Sequence, residues 1–278
     1  MPRKLFCEIS PLTYRISVLK NRFLRRMRNW LSGTRFARVR GEKLPCLVYA
    51  HQSLIRRQLG DVDMRLQENK AANLALAAPR VDGILIRPGE TFSFWALVGA
   101  CTARRGYREG LLIAGGKAAA GVGGGMCQFT NLLHWLVLHS ELTVTERHHH
   151  DRIDLFPDFG RQVPFGVGTS IMYNYLDYRF KNSTNDTYQL IVCTTDRHLR
   201  GELRASSPSA FKFHIVEENA RFERRQGALY RRNTIVRRVV DKKTGDVIRS
   251  ETLQESNARV AYDEKHIAPE MIVEVQTS

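Results

Sequence analysis

The stretch 121-GVGGGMCQFTNLLHWLVLHS-140 places four glycines within five residues, directly before a cysteine and a strongly apolar segment. The apolar part, residues 132–140, is interrupted mainly by His134 and His139, which predicts a buried helix. Glycines let the backbone turn sharply and approach other groups closely. The stretch therefore predicts a tight turn that delivers Cys127 to the start of a buried helix.

Two nucleotide-binding loops are excluded by specific positions in this stretch. A Walker A loop ends in Gly-Lys-Ser/Thr, whereas these glycines are followed by Met126 and Cys127. A dinucleotide fingerprint GxGxxG is satisfied by Gly121 and Gly123, but its third glycine falls on Met126. The loop is therefore not expected to bind a nucleotide.

A nucleophilic thiol is the chemical alternative for this loop. At a helix start, the free N–H groups and the helix dipole should lower the pKa of Cys127 and could hold a developing oxyanion, with the Gln128 amide as a further donor. His134 is a poor base, because seven helical residues place it about 10 Å away. The better candidates are the adjacent histidines 148–150, of which strand alternation turns only one or two toward Cys127.

Other interpretations of these residues remain open. A buried cysteine often behaves as a small hydrophobe, and a glycine loop can be purely structural or bind a ligand without chemistry. Zinc on Cys127 and one histidine would need two further ligands that the sequence does not indicate. We therefore predict neither a metal nor a cofactor.

Charge is concentrated at one end of the chain. The 278 residues are 43% apolar, enough for a sizeable core, and carry a net charge of +15. Residues 1–50 contain 12 Lys/Arg against 2 Asp/Glu, so most of the excess lies there. Such a balance is typical of proteins with anionic partners. Nucleic acid is not expected, because no helix-turn-helix, zinc finger or RNA-binding signature accompanies the charge.

The basic region contains a predicted helix. Ser10 is suited to cap it, Pro11 to begin it and Gly33 to end it. Apolar residues recur every three or four positions, and basic residues cover much of the remaining surface: Ile16, Leu19, Phe23, Met27 and Trp30 against Arg15, Lys20, Arg22, Arg25, Arg26 and Arg28. This pattern predicts either an arm lying on an anionic membrane surface or a helix that packs its stripe on its own domain.

The cysteine set and the hydropathy indicate location. The five cysteines are scattered without a CxxC spacing, so neither a disulfide framework nor a structural zinc site is predicted. No apolar run approaches 18 residues, and no signal-peptide pattern is visible. We expect a cytoplasmic protein, peripheral to the inner face of the membrane if the arm binds lipid.

The rest of the chain predicts an α+β fold. Residues 44–80 are predicted to be helical in part, with the helix ending near Pro79, and short strands are predicted in residues 82–95, 106–117, 169–182 and 187–196. A hairpin is predicted over residues 233–253, with its turn at 242–246. We expect a basic helical arm (1–45), a central mixed helix/strand domain (46–205) and a strand-rich C-terminal extension with the hairpin (206–278).

Several motifs together resemble the VanW family. They are "RPGETFSFW", "GYREGLLIAGGK", "VGGGMCQFTNLLHW", "LTVTERHHH" and "DYRFKN", in this order between about Glu68 and Arg204. The resemblance implies a role near peptidoglycan and in glycopeptide resistance, without a settled activity. It also exposes a departure: many members have Asp-Ala-Thr-Val where this chain has Gly168-Thr169-Ser170-Ile171. An acid that would orient a histidine is thus missing, and Asp151, Asp154 or Asp177 would have to replace it.

Three roles follow as hypotheses, and the third is a purely structural role within a complex. In the first, the protein performs amidase, peptidase or transpeptidase chemistry on a wall-precursor peptide; in the second, it binds such a peptide without chemistry, held near the inner membrane face by its arm. The candidate catalytic residues are Cys127, His149, His148 and Gln128. The candidate substrate-binding residues are Gly123, Gly124, Gly125, Asn131 and Arg147.

Overall fold

The computed structural model describes residues 5–57, 63–114, 117–149, 152–158 and 160–275. Helices and several separate sheets are combined in this part of the chain, which confirms the α+β class. The α helices are α1 (Pro11–Leu31), α2 (Met64–Val81), α3 (Phe94–Val98) and α4 (Met126–Leu138). Short 3-10 turns lie at Phe6–Glu8, Ala103–Arg105, Glu264–His266 and Pro269–Met271.

The central sheet supports the glycine–cysteine stretch. It has four antiparallel strands in the order β1-β10-β9-β2, namely β1 (Cys46–Leu54), β2 (Ile84–Ile86), β9 (Tyr188–Thr194) and β10 (His198–Ala205). Helix α4 packs on this sheet so closely that a Cβ at Gly201 would lie 2.9 Å from Leu136. Ten of the 13 residues of α4 are buried. The buried helix predicted after the glycines is therefore present.

Smaller sheets complete this part of the fold. The hairpin β4 (Glu109–Ala114) and β5 (Lys117–Val122) leads directly into the glycine loop. A three-stranded sheet in the order β3-β8-β6 contains β3 (Thr91–Ser93), β6 (Thr143–Glu146) and β8 (Arg179–Lys181). Strand β6 leads toward the histidines that follow Glu146.

The C-terminal strands form a separate sheet against α4. Its order is β14-β11-β12-β13-β7, with β7 (Ile153–Asp154), β11 (Phe211–Arg225), β12 (Ala228–Asp241), β13 (Val247–Val260) and β14 (Ile272–Glu274). Strands β12 and β13 are the predicted hairpin. Ile235 of β12 packs with Trp135 and Leu138 of α4 and with Val167. The C-terminal sheet thus covers the outer side of α4.

Three details differ from the sequence predictions. Residues 46–54, placed in a partly helical region, form strand β1, whose alternating burial suits a half-covered sheet. The strands on either side of Pro88-Gly89 exist but do not pair, since β2 joins β9 and β3 joins β8. In residues 169–182 only β8 is a strand, because a turn closed by Met172 and Leu176 occupies the middle.

No helix in the described ranges is long and apolar enough to cross a membrane.

Candidate functional site

Close packing requires glycine at two positions of the loop. A Cβ at Gly124 would lie 2.3 Å from the carbonyl carbon of Gly110, which is backbone and has little freedom to move. Gly125 is the N-cap of α4 and adopts a φ of 106°, in the left-handed region that favours glycine. A Cβ there would also meet the side chain of Lys70 at 2.5 Å. The loop is thus pressed against β4 on one side and α2 on the other.

A buried asparagine of α2 holds the loop in place. The Nδ2 of Asn73 donates to the carbonyls of Gly124 and Arg108, both at 2.9 Å, and its Oδ1 accepts from the Arg108 amide at 2.8 Å. Sequence reasoning did not single out Asn73. The available signal was that Gln67, Lys70 and Asn73 recur at helical spacing on the side of α2 that also carries buried apolar residues.

Cys127 is the second residue of α4 and is half-buried. Burial raises the pKa of its thiol, and a hydrogen bond from the Ile171 backbone amide opposes this only in part. The lowered pKa expected for Cys127 from the helix start is therefore wrong, because desolvation of the thiolate outweighs the backbone hydrogen bonds that stabilise it. A reaction at Cys127 accordingly requires a base.

The segment Gly168–Ile171 connects Cys127 to the region after β6. The amide and Oγ1 of Thr169 donate to Asn131 Oδ1 at 2.7 and 2.8 Å. The Ser170 amide donates to the carbonyl of His148 at 2.6 Å, and the Ile171 amide reaches Cys127. Cys127, Asn131 and His148 therefore all contact the backbone of the same four-residue segment.

His149 lies next to residue 168, the position where the family resemblance places an acid. A Cβ on Gly168 would be 3.0 Å from His149 Nε2 and 3.9 Å from Asn131 Oδ1. The imidazole also packs edge-on to Phe165, with ring centroids 6.4 Å apart. A carboxylate at residue 168 would therefore be adjacent to His149 Nε2.

Introducing that acid is expected to change the titration of His149. In Gly168→Asp we expect the pKa of His149 to rise by about 1 unit or more, since a neighbouring carboxylate stabilises the imidazolium. The 3.0 Å approach requires the ring to shift by a few tenths of an ångström. Histidine NMR titration measures the effect, and Gly245→Asp in an open turn serves as the control. An unchanged pKa in Gly168→Asp would contradict the placement.

Two of the acids that could have replaced the missing family acid, Asp177 and Asp154, make their hydrogen bonds and ion pairs with other residues. Asp177 is buried and accepts hydrogen bonds from Ser93, Trp95, Tyr178 and Arg179. Asp154 pairs with Arg231 and accepts from Tyr262 in the C-terminal sheet. Neither is bonded to His149 by these contacts. Asp151 and His150 lie outside the described residues.

His148 belongs to a different cluster from His149. Its Nε2 lies 3.1 Å from Glu146 Oε1, and 39% of its side chain is exposed. Glu146 also accepts from the Asp177 amide and pairs with Arg25 of α1, and these hydrogen bonds lower the pKa of its carboxyl despite burial. The structure thus places the imidazole of His149, not that of His148, against the Gly168–Ile171 segment, which His148 meets only through its backbone carbonyl.

Gln128 and Arg147 act as internal supports. The Nε2 of Gln128 donates to Ser53 Oγ at 2.8 Å and to the Leu54 carbonyl at 2.9 Å, which anchors α4 on β1 and engages both amide hydrogens. The guanidinium of Arg147 donates to the carbonyls of Gly166 and Gly168 and to Gln254. Both side chains are therefore engaged by hydrogen bonds within the fold.

His134 of α4 and His139, which follows the helix as its C-cap, are core residues. His134 Nδ1 lies 3.1 Å from the Tyr178 hydroxyl, and burial lowers its pKa well below the usual range. His139 stacks on Tyr49, and burial lowers its pKa to about 4. In the described part of the chain, no group of three or more His, Cys, Asp or Glu side chains is arranged to hold a metal ion.

A groove of about 900 Å³ lies between α4, β6 and the C-terminal sheet. Its lining includes His134, Arg147, Arg237 and Glu251, but not Cys127 or His149. Arg237 and Glu251 form an ion pair within it. The groove is therefore separate from the thiol.

These features define a class of protein in which a glycine loop leads into a cysteine at the start of a buried helix, on an α+β frame. A family model described as VanW like protein matches residues 69–204. The chain is 35% identical over 231 residues to vancomycin B-type resistance protein VanW of Enterococcus faecalis, covering 83% of this chain and 84% of that protein. It belongs to the VanW family.

A second relative is more distant. The uncharacterized protein YoaR of Bacillus subtilis is 32% identical over 118 residues, which is 42% of this chain and 37% of that protein. No solved structure matches significantly.

Proposed function

We propose that this protein is an accessory factor in the cell-wall response to glycopeptide antibiotics and acts on a wall-precursor peptide through the Cys127 thiol. The vancomycin-resistance relative, of which the alignment covers 84%, supports the link to glycopeptides. The convergence of Cys127 and His149 on the segment Gly168–Ile171 supports the chemistry.

The reaction is an acyl transfer. His149 takes the proton of the Cys127 thiol, and the thiolate attacks the carbonyl carbon of a peptide bond. The carbon–nitrogen bond breaks as His149 returns the proton to the departing amine, which leaves an acyl thioester on Cys127. Water then releases a carboxylate, as in a peptidase or amidase, or a second amine accepts the acyl group, as in a transpeptidase.

The test is loss of glycopeptide tolerance or turnover in Cys127→Ser. We expect the loss to be essentially complete, and His149→Gln to reduce turnover by about 100-fold or more. Cys193→Ser is the matched control, because Cys193 is an exposed cysteine on β9. Full activity in a folded Cys127→Ser protein would exclude the thiol chemistry.

The competing proposal is a non-catalytic module that binds the precursor with the same loop. The raised pKa of Cys127 and the glycine at residue 168 favour it, because both weaken a nucleophile. Retention of the phenotype in Cys127→Ser, together with saturable binding of the precursor peptide, would establish this alternative.

We also propose that α1 holds the protein at an anionic membrane, on its inner face. The helix contacts the body through polar groups: Arg25 pairs with Glu146, and Asn29 accepts from Arg179 at 3.0 Å. Its apolar stripe faces outward, with Leu19 63% and Phe23 62% exposed. An outward apolar stripe flanked by Lys and Arg is suited to the lipid interface.

Membrane contact predicts a specific loss of vesicle binding. Leu19→Ser/Phe23→Ser should weaken co-sedimentation with phosphatidylglycerol vesicles by about tenfold or more, because two apolar side chains no longer enter the interface. These substitutions leave the contacts of Arg25 and Asn29 in place. The control is Val247→Ser/Ile248→Ser, an apolar pair on β13 that is also more than half exposed. Equal binding by the two double variants would remove the proposal.

A further inference from the structure

Two polar side chains on the buried side of α2, Gln67 and Lys70, have no acceptor among the described residues. Gln67 is fully buried, and although its Oε1 accepts from the Arg57 amide at 3.5 Å, its Nε2 has no hydrogen-bond partner. Lys70, one turn further along α2, is only 6% exposed and makes no hydrogen bond or ion pair within the described ranges. By contrast, the neighbouring Asn73 is fully engaged by the glycine loop.

Lys70 lies at the start of α4. Its side chain crosses Gly125, so that a Cβ on this glycine would be 2.5 Å from Lys70 Cγ and 3.3 Å from Cδ. Gly125 provides no side-chain cap for the 13-residue helix. The Lys70 side chain therefore lies against the N-terminal, positive end of α4, two residues before Cys127.

Gln67 borders the same region from the β1 side. Its partner Arg57 lies three residues after Leu54, whose carbonyl binds the Gln128 side chain in the first turn of α4. The end of β1 therefore contacts the beginning of α4, and the residues just after β1 contact Gln67. Gln67 and Lys70 are three residues apart and both buried, so they lie on the same side of α2.

The local charge is positive. Burial, together with Arg57 and Arg56, lowers the pKa of Lys70 to about 8. Arg56 is paired with Glu68, but no carboxylate of a described residue pairs with Lys70. Buried cations and buried amide donors are unfavourable unless an acceptor reaches them.

We propose that Lys70, Gln67 and the N-terminus of α4 form an anion-binding site that receives a carboxylate of the ligand beside Cys127. The site itself stands on the geometry of α2 and α4, and its use in catalysis rests on the proposed thiol chemistry. A peptide bound there by a carboxylate would present a neighbouring amide to Cys127.

Alkylation of Cys127 tests the site directly. Iodoacetate and iodoacetamide alkylate the same thiol, but the first carries a carboxylate where the second carries a neutral amide. The ratio of their alkylation rates therefore reports attraction of an anion to the site. Peptide mass spectrometry follows each cysteine, with the exposed Cys193 as the internal reference. We expect the iodoacetate-to-iodoacetamide ratio at Cys127 to exceed that at Cys193 by about tenfold.

Variants distinguish binding at this site from a general effect of the protein's positive charge. Lys70→Met should bring the ratio at Cys127 to that at Cys193, and Lys70→Arg should retain part of the preference. Lys212→Met, which removes an exposed lysine of β11, should leave the ratio unchanged. Equal ratios at Cys127 and Cys193 in the unmodified protein, or a ratio that survives in Lys70→Met, would overturn the proposal.

A second measurement does not depend on the thiol. In Cys127→Ser, acetate should raise the melting temperature, and the increase should disappear when Lys70→Met is added. Lys70→Met removes a buried charge without a partner, so the variant should melt no lower than the parent. An acetate effect that is absent, or that persists without Lys70, would refute the site. Acetate binding together with an unaltered phenotype in Cys127→Ser would retain the site and exclude the thiol reaction.

Discussion

Replacing Asp177 with alanine is expected to lower the free energy of unfolding by about 3–5 kcal/mol, as breaking a buried charged network does. One carboxylate oxygen accepts from Ser93 Oγ at 2.5 Å and Arg179 Nε at 2.8 Å, and the other from the Trp95 and Tyr178 amides. Asp177 is 2% exposed, so water has little access to these donors. The loss therefore exceeds that of an ordinary surface ion pair.

Two comparisons make this prediction specific. Asp177→Asn keeps the shape and one acceptor, so we expect an intermediate loss, whereas Asp246→Ala in the exposed β12–β13 turn should change stability by about 0.5 kcal/mol or less. Chemical denaturation of the three variants measures the differences. A loss in Asp177→Ala no larger than in Asp246→Ala would show that the carboxylate does not organise the core.

For Gly124→Ala we expect a loss of about 3 kcal/mol, at the upper end of what overpacking costs. The new Cβ would be 2.3 Å from the carbonyl carbon of Gly110 and 2.5 Å from its oxygen. Because both atoms are backbone, only a displacement of β4 or of the loop could relieve the overlap. Such a displacement would also disturb the Asn73 hydrogen bond and the start of α4.

Gly245→Ala is the matched control for this variant. Gly245 has a φ of 80° in the β12–β13 turn, and an added Cβ would have no atom within 4 Å. Its replacement should cost about 1–2 kcal/mol, from backbone strain alone. Equal unfolding midpoints for the two variants would indicate that the loop yields easily at Gly124.

The sequence predicted local structure well where a single periodic pattern decides it. The apolar run after Cys127 predicted α4, Ser10 and Pro11 predicted the start of α1, and the turn at residues 242–246 predicted the β12–β13 hairpin. Each of these depends on neighbours in sequence. Strand β1 was missed because its half-covered pattern is as compatible with a helix as with a strand until β10 is known as its partner.

The site was less predictable, because tertiary contacts decide it. The residues around Cys127 and the histidines could be selected from sequence, but which histidine faces Gly168 depends on the position of residues 168–171. Burial determines the pKa direction at Cys127, and the engagement of Gln128 with β1 removes a donor that its sequence position had promised. Lys70 was not predicted as a binding residue, because the reason to consider it is that the fold buries it without a partner, and this cannot be read from the sequence.

The anchoring of Gln128 on β1 bears on how members of this family should be divided. The similarity region of residues 69–204 begins after β1 and after the first residues of α2. A fragment cut to those limits would leave β10 as an unprotected sheet edge, which favours association between copies. It would also remove Ser53 and Leu54 from the Gln128 amide and Ile235 from α4. The region that is similar across the family is therefore smaller than the region needed for a stable fold. Comparisons between family members are best made on fragments that include β1 and the C-terminal sheet.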